Sequence, residues 1–443
     1  MTMLSFARDY ADSGISRFHM PGHKGVPLHG MESIDLTEIK GADFLFESDG
    51  IIAEGERITA DAYGAAATCW SAEGSSLSIK AAVCILQRYF GRPVRIASPR
   101  NCHRAFLNAC TLLDADPVWL YPDRPRTMLC ECSVSPDEVQ RLLDSDDKID
   151  AVYITSPDYL GGLADIEGIS AVCRSHGVFL IVDNAHGAYL KFLGNDIHPL
   201  TLGADIVCDS AHKTLPVYTG GGYLHISKNA PPGFVQLAKP SMALFGSTSP
   251  SYLIMQSLDL AARELSGSLP EKIRLCCERT ARVKALMAQL GIADISAEPM
   301  KITIDANSAG YDGNDLADML REDFMECEYS DTGAVVLMMS PYNSENDFLR
   351  LEGFLRRLPK LPPKDRISEA GLFALRPEKV MTLRQAMLSR CERVPVDMAE
   401  GRICARTAMS CQPSVAAVMA GERITADIIK ILKKYSILEA DVL

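Results

Sequence analysis

Six short apolar, mostly β-branched runs dominate the first half of the chain: Val94–Ser98, Val118–Tyr121, Ala151–Thr155, Val178–Val182, Asp205–Cys208 and Tyr223–Ile226. Amphipathic segments lie before and between them: Ser75–Tyr89, His103–Leu113, Pro136–Leu143 and Ile169–His176. Runs that are apolar throughout, rather than alternating, suit strands covered on both faces, and the intervening helices then serve as crossovers. The rhythm predicts an α/β fold with a mostly parallel central sheet. Such sheets bind ligands at the carboxyl ends of their strands, so polar residues there carry the most weight.

A length of 443 residues suits one large and one smaller domain. Residues 1–60 read as an arm with short helices, and 61–268 as the large domain. Residues 269–360 read as a small α+β domain, with a helix Glu271–Leu290, a strand Lys301–Asp305, a helix around Asn314–Asp323 and a strand Ala334–Met339. The proline-rich Leu358–Asp365 looks like a linker. A C-terminal domain, 361–443, then carries Leu383–Ser389 and a helix Thr425–Tyr435.

A net charge of -12 argues against nucleic acid or anionic lipid as a partner. No eighteen-residue apolar run or signal peptide is visible, which argues against a membrane span. The 14 cysteines are scattered; the closest groupings, Cys130 with Cys132 and Cys276 with Cys277, do not have zinc-ligand spacing, so no metal is expected. Free thiols without a leader point to the cytoplasm.

Four features fall at predicted strand ends. Leu180–Val182 delivers Asp183, followed by Asn184-Ala185-His186-Gly187; a carboxylate there can accept from a protonated ring nitrogen, although strand-end aspartates also cap helices and bind metals. The string Asp209-Ser210-Ala211-His212-Lys213-Thr214-Leu215-Pro216 places a lysine among small and apolar neighbours, which favours a nucleophilic amine. Ser210 and His212 can donate to a phosphate, and Gly220-Gly221-Gly222 permits close backbone approach. Gly74-Ser75-Ser76 opens a helix and suits an anion, though a serine there is also an ordinary N-cap. Arg100-Asn101-Cys102-His103-Arg104 supplies an imidazole that can lie on a ligand ring or be purely structural. An aldehyde-reactive amine, a carboxylate for a pyridinium, a phosphate cradle and a stacking ring together match pyridoxal phosphate. A nicotinamide fingerprint and a P-loop are both absent.

At these residues the chain resembles the Orn/Lys/Arg decarboxylase family, a bacterial fold-type-I group with an aminotransferase-like fold. The likeness runs through Arg17-Phe18-His19-Met20-Pro21-Gly22-His23-Lys24, Arg100-Asn101-Cys102-His103, Thr155-Ser156-Pro157, Asp183-x-Ala185-His186-Gly187, Ser210-x-His212-Lys213-Thr214-Leu215-Pro216 and Ser247-Thr248-Ser249-Pro250-Ser251-Tyr252. The resemblance implies that Lys213 takes the cofactor's aldehyde, Asp183 pairs with its ring nitrogen and His103 stacks on the ring. It further implies that Gly74, Ser75, Ser76, Ser210 and His212 hold phosphate, that Ser156 approaches the phenolic oxygen and that His186 lies beside the ring. Lys213 or His212 would return a proton to the substrate. Ser247-Thr248 would reach the neighbouring subunit's phosphate, which makes the protein at least a homodimer.

The implied reaction is decarboxylation of arginine, lysine or ornithine to an amine, in polyamine-related metabolism. Asp158, Glu400 and Glu422 are candidates to recognise the substrate's distal cation. The chain departs from the family at Asn184, where Glu is common, at Glu73, where Asn is common, and at Ser410-Cys411-Gln412-Pro413-Ser414 and Ala420-Gly421-Glu422, where a Pro-rich loop and Pro-Gly-Glu are usual. Other reactions on the same cofactor stay open: a lyase, a decarboxylase for a non-basic substrate, or a transaminase, for which Arg402 or Arg406 would bind the substrate carboxylate. So does a non-catalytic regulator with the same fold.

Overall fold

The computed structural model describes residues 1–122, 134–364, 372, 374–407 and 415–443. Cys130, Cys132 and the Ser410–Ser414 departure lie outside the described residues. In chain order the strands are β1 (Ala67–Ser71), β2 (Arg95–Pro99), β3 (Asp116–Leu120), β4 (Ala151–Thr155), β5 (Phe179–Asp183), β6 (Ile206–Asp209), β7 (Gly222–Ile226), β8 (Lys301–Asp305), β9 (Tyr329–Ser330), β10 (Ala334–Met338), β11 (Glu392–Pro395) and β12 (Glu439–Val442). The six apolar runs became β2 to β7, each within two residues of its expected bounds. The chain forms two compact units. One joins Met1–Arg92 to Phe179–Ile273; the other joins Pro93–Val178 to Arg274–Leu443.

In the first unit the strand order is β1-β7-β6-β5. β5 and β6 are parallel, with Asp183 opposite Cys208. β7 is antiparallel to both its neighbours, placing His225 opposite Val207 on one side and Thr68 on the other. The β5–β6 pair has the expected parallel character, and β7 is the departure within this unit. β1 was not among the apolar runs, because Ala-Thr-Cys-Trp-Ser has no single-residue-type signature. It is nevertheless buried, covered by the helix Ile51–Tyr63. That 13-residue helix is longer than the short ones expected of an arm. A Cβ on its Gly55 would sit 2.2 Å from the Trp70 ring, so only glycine lets helix and strand approach this closely.

In the second unit β4-β2-β3 lie in that order, all parallel. β8-β10-β9 form an antiparallel sheet, and β11 pairs with β12. The C-terminal helix Ala426–Lys434 turns Ile428, Ile429 and Leu432 into a core that includes Val394, Cys404, Val418 and Val442. Among the described residues no helix is long and apolar enough to cross a membrane, and the cysteines form no disulfide.

Candidate active site

The first unit gathers the lysine, the aspartate and the anion cradle at the ends of three strands. β5 ends on Asp183, which is buried and accepts from the backbone N–H of Ala185. The turn that follows carries His186, also buried. β6 ends on Asp209, and the short helical turn Ala211–Thr214 presents Lys213. Lys213 Nζ lies 2.9 Å from His186 Nε2, so the two strand-end turns meet at the amine. His212 gives its Nδ1–H to the Gly221 carbonyl at 2.8 Å, which leaves Nε2 as the nitrogen that can exchange a proton.

The cradle is built from β1, β7 and the helix Gly74–Phe90. Gly74 takes φ +65°, and its N–H reaches the Gly220 carbonyl. A Cβ on Gly222 would fall 2.8 Å from the Asp209 carbonyl and 2.8 Å from the Gly74 backbone, so β7 can lie against this helix start only through glycine. The Ser210 hydroxyl donates to the Ser75 hydroxyl at 2.9 Å, both buried. Ser76 is half-buried beside them. Glu73, the N-cap residue, makes no capping bond and instead accepts the Ser247 N–H at 2.7 Å. The first-turn N–H groups are therefore uncapped by that side chain, and with two hydroxyls beside them they suit a phosphate. Ser247 and Thr248 are exposed.

Behind these turns lies a buried cluster that sequence reasoning missed. Asp209, His198 and His225 are wholly buried. Asp209 Oδ2 lies 3.1 Å from His198 Nε2 and 3.3 Å from His225 Nε2, and Oδ1 accepts from Asn184 Nδ2 at 2.7 Å. Burial alone would raise the Asp209 carboxyl, but the two imidazoles hold it well below the usual carboxylate range. Burial pushes His225 below the ordinary histidine value, against the pull of Asp209. Burial and the charges of Asp183 and Asp209 drive the Cys208 thiol far up, so it is not a nucleophile here. A histidine inside the apolar run Tyr223–Ile226 was the available signal. Asn184, a departure from the family pattern, faces a carboxylate; a glutamate there would set two anions together.

The second unit holds the remaining candidates. His103 caps the helix Arg104–Leu113, its Nδ1 accepting the Ala105 N–H at 3.1 Å. Ser156 Oγ accepts the Ala164 N–H. Asp158 is buried, with Oδ1 accepting from Leu160 and Gly162. Glu400 is exposed. Glu422 does not face outward for a substrate cation: Arg100 Nη1 and Nη2 reach its two oxygens at 2.6 and 2.8 Å, and Met419 N–H donates to Oε2. The Arg100 Nε donates to the Ala416 carbonyl, and its guanidinium lies 5.6 Å from the Trp119 ring centre. Arg402 is paired with Glu392 and the Leu443 carbonyl, and Arg406 lies 4.0 Å from Asp441.

Residues 3–307 match the family model described as Orn/Lys/Arg decarboxylase, major domain. The chain belongs to the Orn/Lys/Arg decarboxylase family. It is 29% identical to an arginine decarboxylase of Bacillus subtilis, across 94% of this chain and 90% of that protein. It is 28% identical to an arginine decarboxylase of Halalkalibacterium halodurans, across 92% and 88%. Its fold is similar to that of the Francisella novicida lysine decarboxylase, with a TM-score of 0.81 and 18% identity over 100% of this chain and 81% of that one. The Pseudomonas aeruginosa lysine decarboxylase A gives 0.79 and 18% over 98% and 76%. As an Orn/Lys/Arg decarboxylase family member, the protein is an amino-acid decarboxylase. The matched region contains every first-unit residue discussed above, as well as His103, Ser156 and Asp158.

Proposed function

We propose that the protein uses pyridoxal phosphate to decarboxylate a basic amino acid, arginine, lysine or ornithine, to the corresponding amine. The observation that carries the cofactor is the joining of the Lys213 amine to His186, with the Ser75–Ser210 pair at an uncapped helix start in the same unit. The cradle fits a phosphate, and the buried Asp183 fits a ring N–H. When bound, pyridoxal phosphate supplies an aldehyde for an amine and a ring that accepts the electron pair left by departing carbon dioxide.

The residues divide the remaining work. Ser75, Ser76, Ser210 and His212 Nε2 would bind the phosphate through N–H and hydroxyl donors, and Gly74, its own N–H given to Gly220, would let the phosphate approach the helix start. Asp183, as a carboxylate, would accept from the ring N–H and hold that nitrogen protonated. Lys213 would hold the aldehyde, and His186, 2.9 Å from Lys213 Nζ, would orient that amine. Lys213 Nζ or His212 Nε2 would hold the proton that the substrate α-carbon receives. By the family resemblance, His103 would take the ring face and Ser156 the phenolic oxygen. Asp158 and Glu400 are the carboxylates proposed for the distal cation; Glu422, with both oxygens on Arg100, is set aside.

We further propose a cytoplasmic homodimer, with Ser247-Thr248 completing the neighbouring phosphate site and a role in polyamine-related metabolism. The arginine decarboxylase relatives favour arginine as the first substrate to test. The test is a product screen with cofactor-loaded protein over the three basic amino acids. One of them should give an amine and carbon dioxide without a keto acid. Keto acid formation, or turnover of non-basic amino acids alone, would overturn the proposal.

A further inference from the structure

Two hydrogen bonds join the turn after β5 to the turn after β6. One is Lys213 Nζ to His186 Nε2; the other, deeper one is Asn184 Nδ2 to Asp209 Oδ1 at 2.7 Å. Asn184 lies two residues before His186, and Asp209 four before Lys213, so the two bonds close a short ring of chain around the amine. We propose that Asp209 and Asn184 are positioning residues for Lys213: a buried carboxylate, anchored by His198 and His225, ties the two strand-end turns together and sets where the amine and Asp183 stand.

The donor directions around Asp209 are mutually consistent. The Leu200 N–H points at His198 Nδ1, which puts that ring's proton on Nε2, facing Asp209. Thr68 Oγ1 lies 2.7 Å from His225 Nδ1; if it donates there, the His225 Nε2–H also faces Asp209. Asn184 supplies the third donor. Its own Oδ1 is buried with no hydrogen-bond partner among the described residues. The amide is therefore oriented by the carboxylate, since flipping it would set oxygen against oxygen. Three donors converge on the carboxylate and favour its anionic form.

His198, Asp209 and His225 also bring three ligand atoms within 4.8 Å of one another, a spacing that a small cation could use. The Leu200 N–H decides against it, because it leaves a hydrogen on the His198 nitrogen that would have to bind the metal.

The inference rests on Lys213 being the cofactor lysine. The test compares holoenzyme variants Asn184→Ala, Asn184→Asp and the exchange Asn184→Asp with Asp209→Asn. Each single variant should shift the visible absorbance of the lysine-bound cofactor. Each should also lower kcat about tenfold with KM within about twofold, the pattern of a reacting group slightly misplaced. The exchange restores an amide–carboxylate pair, with the amide oxygen introduced by Asp209→Asn still accepting from both imidazoles, and should recover much of the spectrum and rate.

Parental spectra and kcat in Asn184→Ala would overturn the proposal even if Asn184→Asp fails to fold. An exchange no better than Asn184→Asp would do the same. So would thermal stabilisation by added zinc that a chelator reverses, which would establish a metal site instead. Parent protein lacking lysine-bound cofactor would overturn the Lys213 assignment itself, a failure visible before any variant is made.

Discussion

Asp209 in one unit and Glu422 in the other are both buried carboxylates, and they are satisfied in opposite ways. Glu422 meets a guanidinium in a two-pronged pair, so the site is neutral overall. Asp209 instead accepts from two imidazoles and an amide. The first arrangement ties residues 322 apart in sequence and depends on both partners being present. The second spreads its support over three donors, any one of which can be removed without stranding an opposite charge. An ion pair suits an architectural clamp. A hydrogen-bonded anion suits a place beside chemistry, where a second cation would compete with the amine of Lys213.

That contrast can be broken or sharpened by experiment. Lys213→Ala should abolish turnover and covalently held cofactor while leaving the urea midpoint near the parent's; retained reducible cofactor would refute its role. Glu422→Ala should do the reverse. It leaves Arg100 buried and unpaired, costing about 3–5 kcal/mol in urea unfolding, whereas Glu422→Leu with Arg100→Met should cost less than either single change. Equal costs for single and double variants would deny the clamp. Asp183→Asn should keep cofactor bound but slow turnover about a hundredfold or more, because the ring nitrogen loses its anion.

A pH series separates the two carboxylates further. His225 has a depressed folded value against an ordinary 6.5, so below that pH the unfolded state binds the extra proton and the fold loses stability as pH falls. Asp209 acts in the same direction at lower pH, its contribution being present above the ordinary 3.8 and lost as pH falls towards its depressed folded value. Unfolding midpoints of the parent should therefore decline from neutral pH towards pH 5, and His225→Asn should flatten that decline. The smallest effect is expected at the cradle, where Ser75→Ala should weaken cofactor retention about tenfold, measured by dialysis and absorbance.

Much of the fold was legible because its signals are local. The apolar run Ala151–Thr155 and the alternating Lys301–Asp305 are strands with the expected bounds. Lys213, Asp183 and Ser75 were legible as a set because each stands at a strand end or helix start. β1 was not, because burial of Thr68 and Trp70 comes from the helix laid over them and from β7 beside them rather than from alternation in the sequence. Glu422 looked like a substrate carboxylate because nothing near it in sequence shows that Arg100 will meet it.

By itself, the sequence determined the strand–helix rhythm, the sites where it breaks into polar turns, and the residue types in those turns. Those properties depend on neighbours a few residues away. The tertiary structure alone decided the antiparallel course of β7, the joining of Met1–Arg92 to Phe179–Ile273, and the partners of Asp209 and Glu422. A carboxylate's role is set by the donor that meets it in the interior, and that donor arrives by a chain path that local periodicity does not encode.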